Sequence, residues 1–430
     1  MGKIISQQDK NFNKFFHKLL LKREGIDEKI DILVKKIIFE VRKNSDKSLI
    51  KFTNKFDKFA VKKFQELVVK MEEIERAFYD TPKKTVFALK EAVRRITSFH
   101  KKQLPKDLFY MDKQGVNLGC KWSQIDSVGL YVPGGLASYP SSVIMNAVPA
   151  VVAKVNRIVM VCPAPRGFIN PTVLCVAKIL NIKEVYKIGG AQAIAALAYG
   201  TQSIKKVDKI FGPGNAYVAS AKKQVFGKVG IDMIAGPSEV LVVADRFNNP
   251  NHIAIDLLSQ AEHDEQAQAI LITDCHDFAR EVLENIKMEL KTLTRGDIAE
   301  KSWNNYGAII VVDDIYESYD LINQIAPEHL EVSVKKSSNL IRKILNAGAL
   351  FIGKFTPEAI GDYVAGPNHV LPTDRTAKFS SGLNVLDFMK RTTIVKCDKN
   401  SLKKIGPSAR ILADEEGLQA HSLSISKRID

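Results

Sequence analysis

From about residue 125 to about residue 380, short runs rich in β-branched residues alternate with stretches of helical length, and this rhythm constrains the fold more than any other feature of the chain. The candidate strands are Val128–Val132, Arg157–Val161, Glu184–Ile188, Val207–Phe211, Val240–Ala244, Ala269–Thr273, Ala308–Val312, Leu330–Val334 and Ala349–Ile352. Strands separated by helices of this length form βαβ units, so the sequence predicts parallel sheets. Nine or so strands exceed one comfortable sheet. The expectation is an α/β fold of two Rossmann-like parallel-sheet layers, the first ending near Ser238.

The flanks read differently. Residues 10 to 102 are predicted helical, with apolar positions at helical spacing such as Ile30, Ile32, Leu33, Ile37, Ile38 and Val41. After Ser380 the rhythm fades into a tail whose end, Glu416–Ser426, is predicted helical. The 430 residues carry a formal charge of +15, but the early lysines are interleaved with Asp and Glu on apolar-periodic segments. That is the pattern of a solvated face; a nucleic-acid surface needs a basic stripe with stacking aromatics. Five cysteines without a CxxC pair exclude a disulfide framework and a cysteine zinc site. With neither a membrane-length apolar run nor a signal-type N-terminus, a cytoplasmic location is expected.

Four glycine-rich turns fall at or near predicted strand ends: Val132-Pro133-Gly134-Gly135, Ile188-Gly189-Gly190-Ala191-Gln192, Phe211-Gly212-Pro213-Gly214-Asn215 and Ala235-Gly236-Pro237-Ser238. In open α/β sheets ligands bind at the carboxyl ends of strands, where glycine admits close backbone approach. None completes G-x-G-x-x-G. One such turn alone is ordinary loop geometry, but several in succession, beside Tyr131, Gln192 and Asn215, point to a nucleotide cleft.

Histidine is scarce, with eight in the chain. Gln260 and His263 stand at i, i+3 on one predicted helical face, which is two metal ligands at most. Asp362 and His421 have the chemistry to complete a site, yet spacing does not show that they meet. Glu328-His329 lies between a helix-ending Pro327 and a predicted strand. It is either an acid–base pair or a loop pair facing water. His369, in Gly366-Pro367-Asn368-His369, reads as a tight-turn residue unless a site recruits it.

These motifs taken together resemble the histidinol dehydrogenase family. The resemblance is carried by Tyr131-Val132-Pro133-Gly134-Gly135, by Gly189 to Leu197, by Phe211-Gly212-Pro213-Gly214-Asn215 and by Ala235-Gly236-Pro237-Ser238-Glu239. It continues through Ser259-Gln260-Ala261-Glu262-His263, Pro327-Glu328-His329-Leu330, Gly361-Asp362-Tyr363, Gly366-Pro367-Asn368-His369 and Glu416 to His421, in order over essentially the whole length. It implies an enzyme that oxidises L-histidinol through the aldehyde to L-histidine with two NAD, the last step of histidine biosynthesis. The zinc ligands it implies are Gln260, His263, Asp362 and His421, and the acid–base pair Glu328 and His329. Ser238, Gln260, His263, His329, Asp362, His369, Glu416 and His421 match the substrate contacts, and Tyr131, Gln192 and Asn215 the NAD contacts.

The same resemblance implies a homodimer whose C-terminal arm completes the partner's site. The expected division is a helical region over 1–115, an NAD-binding α/β domain over 116–237, a catalytic zinc-binding α/β domain over 238–379 and an arm over 380–430. Neither nucleic acid nor membrane is expected as a partner. Relatives oxidise other small polyols or hydroxy-sulfonates on this scaffold; the matched Ser238 and Glu416 favour histidinol. Asp374-Arg375 departs from the family, which has small or glycine residues there.

Overall fold

The computed structural model describes residues 3–21, 28–134, 139–234 and 236–429. Gly135 of the first glycine turn and Ala235 of the fourth lie outside the described residues. Two wholly parallel sheets form the frame. The first runs Glu184–Tyr186, Arg157–Val161, Ser127–Tyr131, Lys209–Phe211, Gly230–Ile231. Numbered along the chain this is 3-2-1-4-5, the order of a dinucleotide-binding half, reversing direction between Ser127–Tyr131 and Lys209–Phe211. The second sheet repeats that order with Ala308–Val311, Gln268–Thr273, Glu239–Ala244, His329–Ser333 and Ala349–Ile352. Lys3–Ser6 adds a sixth strand beside Ala308–Val311.

The first sheet is sandwiched by helices that the apolar spacing encodes. On one side the stripe Val34, Ile37, Ile38, Val41 of helix Glu28–Asn44 packs with Ile194, Leu197 and Val218. Ile30 packs partly buried against this core, but Ile32 and Leu33 point outward, at 59% and 43% exposure, so the stripe passes through Val34 in their place. On the other side Met71–Asp80 and Lys83–Lys102 pack with Pro140–Val152 and Pro171–Ile179. The first helix, Phe12–Leu21, instead sends Phe12, Phe16 and Leu19 into the core of the second sheet.

Three further strands, Leu108–Met111, Asn117–Gln124 and Met389–Lys396, make a small antiparallel sheet where the sequence shows no strand signal. None of its residues is buried, and even the apolar Leu108–Met111 lies exposed, so no alternation of apolar and polar positions marks these strands. The tail is two helices, Lys399–Glu415 and Gln419–Ile429, packed on each other closely enough that a Cβ on Gly406 would lie 2.3 Å from Ile429. The helix expected over Glu416–Ser426 is present from Gln419 onward, while its start is corrected: Glu416 caps the preceding helix and Gly417, at φ +70°, separates the two helices.

The two sheets use opposite ends. In the first, three of the four glycine turns sit at the carboxyl ends around the reversal point, while Gly236-Pro237-Ser238 of the fourth leads into the amino end of Glu239–Ala244 in the second sheet. In the second, the equivalent crevice between Glu239–Ala244 and His329–Ser333 is filled by Asn248, which donates to the Ser333 carbonyl at 2.6 Å and accepts from the Ser333 hydroxyl at 2.6 Å. That leaves its amino ends, where residues 364–373 return to the first module and Asn368 donates to the Met145 carbonyl at 2.6 Å.

Candidate active site

Helix Tyr319–Ile325 ends at Ala326, in left-handed backbone, and Pro327 keeps it from continuing. His329 thereby becomes the first residue of a central strand, in register with Val240 and Ala349. The flanking strands seal the pair: Glu328 is 6% exposed and His329 4%, which excludes a loop pair facing water. His329 Nδ1 donates to the Glu239 carbonyl at 3.0 Å. This bond sets ring orientation and tautomer and leaves Nε2 as the working atom. Glu328 Oε2 accepts from the Glu239 amide at 2.9 Å and lies 3.7 Å from His329 Nδ1. Burial pushes the Glu328 carboxyl up to about 8. For His329 burial works against the charged ring, but Glu328, Glu358 and Asp362 outweigh it and hold the imidazole above its ordinary value.

Three polar faces meet at Nε2. Strand alternation puts His329 and Glu331 on one side of the sheet. Helix Pro250–Ala261 aligns Asp256, Ser259 and Gln260, and the short helix Glu358–Tyr363 aligns Glu358 with Asp362 one turn on. His329 Nε2 lies 3.7 Å from Glu358 Oε2 and 3.8 Å from Asp362 Oδ1. The Ser259 hydroxyl donates to Glu358 Oε1 at 2.7 Å, and the Glu358 amide to Glu331 Oε1 at 2.5 Å. His369 Nδ1 donates to the Asp362 carbonyl at 3.0 Å. Asp362 is held below the usual carboxylate range: burial raises it, and His329, His369 and His263 together lower it further.

Ligand atoms of His329, Glu358 and Asp362 lie within 4.8 Å of one another, a spacing that suits one metal ion. Gln260 Oε1, His329 Nε2 and Glu358 Oε2 are sealed from solvent without a hydrogen-bond partner among the described residues. Buried polar atoms left unpaired are costly, and a borderline divalent cation satisfies imidazole, carboxylate and amide oxygen together. The donor set therefore fits zinc.

The structure thus brings together His329, Asp362 and His369, and seals Gln260 Oε1 without a partner among the described residues on the helix whose Ser259 meets Glu358. His263 does not share the Gln260 helical face as expected. That helix ends at Ala261, Glu262 caps it, and His263 lies exposed in the following turn, its amide on the Gln260 carbonyl at 3.2 Å. Its charge still reaches Glu358 and Asp362. Ser238 precedes the strand that anchors His329, its carbonyl accepting from the Gln268 amide at 2.9 Å. Glu416 and His421 are exposed on the tail, and among the described residues no hydrogen bond or ion pair joins them to this cluster.

Tyr131, Gln192 and Asn215 stand around the carboxyl ends of the first sheet. The Tyr131 hydroxyl accepts from the Gly190 amide at 3.1 Å, Gln192 is 2% exposed, and Asn215 caps helix Ala216–Val225 through the amides of Tyr217 and Val218.

Sequence reasoning missed Glu358 and Glu239. A glutamate after Pro357 reads as helix-start chemistry, yet its i, i+4 relation to Asp362 was a usable signal. Glu239 Oε1 accepts from the Asp374 amide at 2.9 Å. Asp374 and Arg375 both adopt left-handed backbone, φ +53° and +61°, a conformation that glycine reaches without strain.

Two dinucleotide-type modules around a buried cluster of imidazole and carboxylates able to hold a divalent metal are the frame of an α/β enzyme of the dehydrogenase type. The family model described as histidinol dehydrogenase matches residues 21–429. The chain is 52% identical to the histidinol dehydrogenase of Ruegeria pomeroyi over 430 residues, covering 100% of this chain and 99% of that protein. It is 55% identical to that of Rhodospirillum rubrum over 410 residues, covering 95% and 94%. The crystal structure of histidinol dehydrogenase from Elizabethkingia anophelis superimposes with a TM-score of 0.95 at 36% identity, covering 100% of this chain and 98% of that one. The chain belongs to the histidinol dehydrogenase family, NAD-dependent oxidoreductases of histidine biosynthesis. Among the described residues no helix is long and apolar enough to cross a membrane.

Proposed function

We propose that the chain oxidises L-histidinol, through histidinal, to L-histidine with two NAD, in the cytoplasm, at a zinc site shared between two copies. The observation that carries this reading is the cluster of His329, Glu358 and Asp362 ligand atoms within 4.8 Å of one another, against helix Pro250–Ala261, on which Gln260 Oε1 is buried and unpartnered among the described residues. Gln260, His263 and Asp362 would hold the zinc together with His421 from the second copy's arm. Zinc, when bound, supplies positive charge that fixes the substrate's nitrogens. NAD, held at Tyr131, Gln192 and Asn215, accepts hydride.

The chain's own residues move the protons. His329, with Nδ1 tied to the Glu239 carbonyl, would take the hydroxyl proton at Nε2 once a bound cation offsets the Glu358 and Asp362 charge that otherwise keeps the ring protonated. Glu328, poised near neutrality by burial, removes a proton from the water that adds to the aldehyde. Ser238, His369 and Glu416 complete the substrate contacts. Residues 116–237 act as the cofactor module with 1–115 mainly as its helical cover, and 238–379 as the catalytic module; of 380–430, Leu383, Val385 and Phe388 and strand Met389–Lys396 stay packed on this chain, so the exchanged arm is the helix pair Lys399–Glu415 and Gln419–Ile429. Ile411, Leu412 and Leu423 remain exposed on that arm, which supports its docking elsewhere. The test is NADH production from histidinol by chelated and zinc-restored enzyme. Loss on chelation and recovery with zinc is expected; full turnover without divalent metal overturns the reading.

A further inference from the structure

Gly212 follows the fourth strand of the first sheet, where the strand order reverses. Its amide donates to Asp232 Oδ2 at 2.8 Å and its carbonyl accepts from Lys222 Nζ at 2.9 Å. Lys222 and Asp232 also form an ion pair, with side chains only 2% and 1% exposed. Removing two charges from water can cost more than their attraction returns, and apolar replacements of similar volume are often as stable. Fold stability is thus a weak reason for this pair, whereas its geometry has a definite consequence. It grips both backbone polar groups of one residue.

That residue must be glycine: φ is +114°, and a Cβ would lie 2.0 Å from the Tyr131 carbonyl oxygen. Three residues on, Asn215 caps helix Ala216–Val225, accepting from Tyr217 and Val218 amides at 3.1 and 3.2 Å. Lys222 sits on that same helix. Strand end, glycine, cap, helix and lysine close into a circuit, and Asp232, just after strand Gly230–Ile231, ties the sheet edge to it.

We propose that Lys222 and Asp232 are positioning residues for the dinucleotide, holding the Gly212–Asn215 turn against Tyr131. This rests on the reading of Tyr131, Gln192 and Asn215 as cofactor contacts, so the experiment has two stages. In the zinc-loaded wild-type protein, NADH should slow amide exchange across residues 189–192 and 212–218; no slowing there overturns the cofactor reading and the proposal together. Where it is seen, the Lys222→Met/Asp232→Asn variant, which leaves no buried ion unpaired, is titrated with NADH by fluorescence. Its affinity should fall about tenfold or more, with the KM for histidinol within about threefold of wild type, because misplacing a contact by about 1 Å is costly. NADH affinity within twofold of wild type, or equal losses for NADH and histidinol, overturns the pair's role while the cofactor reading stands. If the double variant does not fold, Asp232→Asn alone decides by the same ratio.

Discussion

His329 Nε2 and Glu358 Oε2 face each other at 3.7 Å, both sealed from solvent and neither with a hydrogen-bond partner among the described residues. Two polar atoms left this way in a dry interior need a third group between or beside them. Glu358→Gln keeps the shape and removes the charge. Zinc affinity should fall about 10–100-fold, as for other residues that support a metal's ligands. Chelator competition measures it, and unchanged affinity with lost turnover would confine Glu358 to proton transfer.

His263 and His421 are exposed, so replacing them should leave the fold intact. His263→Asn and His421→Asn are each expected to abolish turnover and strip the metal, with the circular dichroism of wild type. Metal analysis of the purified variants decides; full zinc occupancy in both overturns the ligand assignment.

Glu328 serves the aldehyde stage in the proposed mechanism. Glu328→Gln should slow aldehyde oxidation about 10²–10⁴-fold, the usual worth of a general base, and alcohol oxidation far less. Stopped-flow measurement of each half-reaction separates the two. Equal losses would make Glu328 a positioning residue.

The same carboxyl carries a pH signature in the metal-free protein. Its folded value, about 8, lies above the ordinary 4.5, so the folded chain binds this proton more tightly than the unfolded chain. Its contribution to stability is complete below pH 4.5 and is lost as pH rises towards 8. His329, also raised, works in the same direction. Thermal unfolding in chelator should show wild type losing roughly 2–4 kcal/mol across that window and Glu328→Gln losing much less. Parallel curves would mean that Glu328 ionises freely in the folded state.

A shared site makes a complementation test possible. Glu328→Gln on one chain and His421→Asn on the other give mixed dimers with one doubly defective site and one intact site, if the arm crosses. Random co-refolding should then restore ~25% of wild-type activity, since about half the dimers are mixed. An arm that folds back on its own chain restores none, and mass-confirmed mixed dimers without activity would rule out the exchange.

By itself the sequence determined the parallel α/β class, the glycine turns at strand ends and the helical cover of the first sheet. All of these follow from local periodicity, and periodicity encodes which residues of a segment are buried together. The residues themselves singled out Gln260, Glu328, His329 and Asp362 as candidates, and the motif resemblance added the family and the roles expected of them.

Only the tertiary structure decided the strand order repeated in both sheets, the recruitment of Lys3–Ser6 beside Ala308–Val311, and the use of the second sheet's amino ends. It alone showed Glu239 holding His329 and Glu358 facing it, contacts that join residues 90 and 29 positions apart (329 − 239 and 358 − 329). Pairing across such separations leaves no local period, and a polar side chain becomes buried only when distant elements close over it. That is why Glu358 reads as a helix start in the sequence and as part of a metal-capable cluster in the fold.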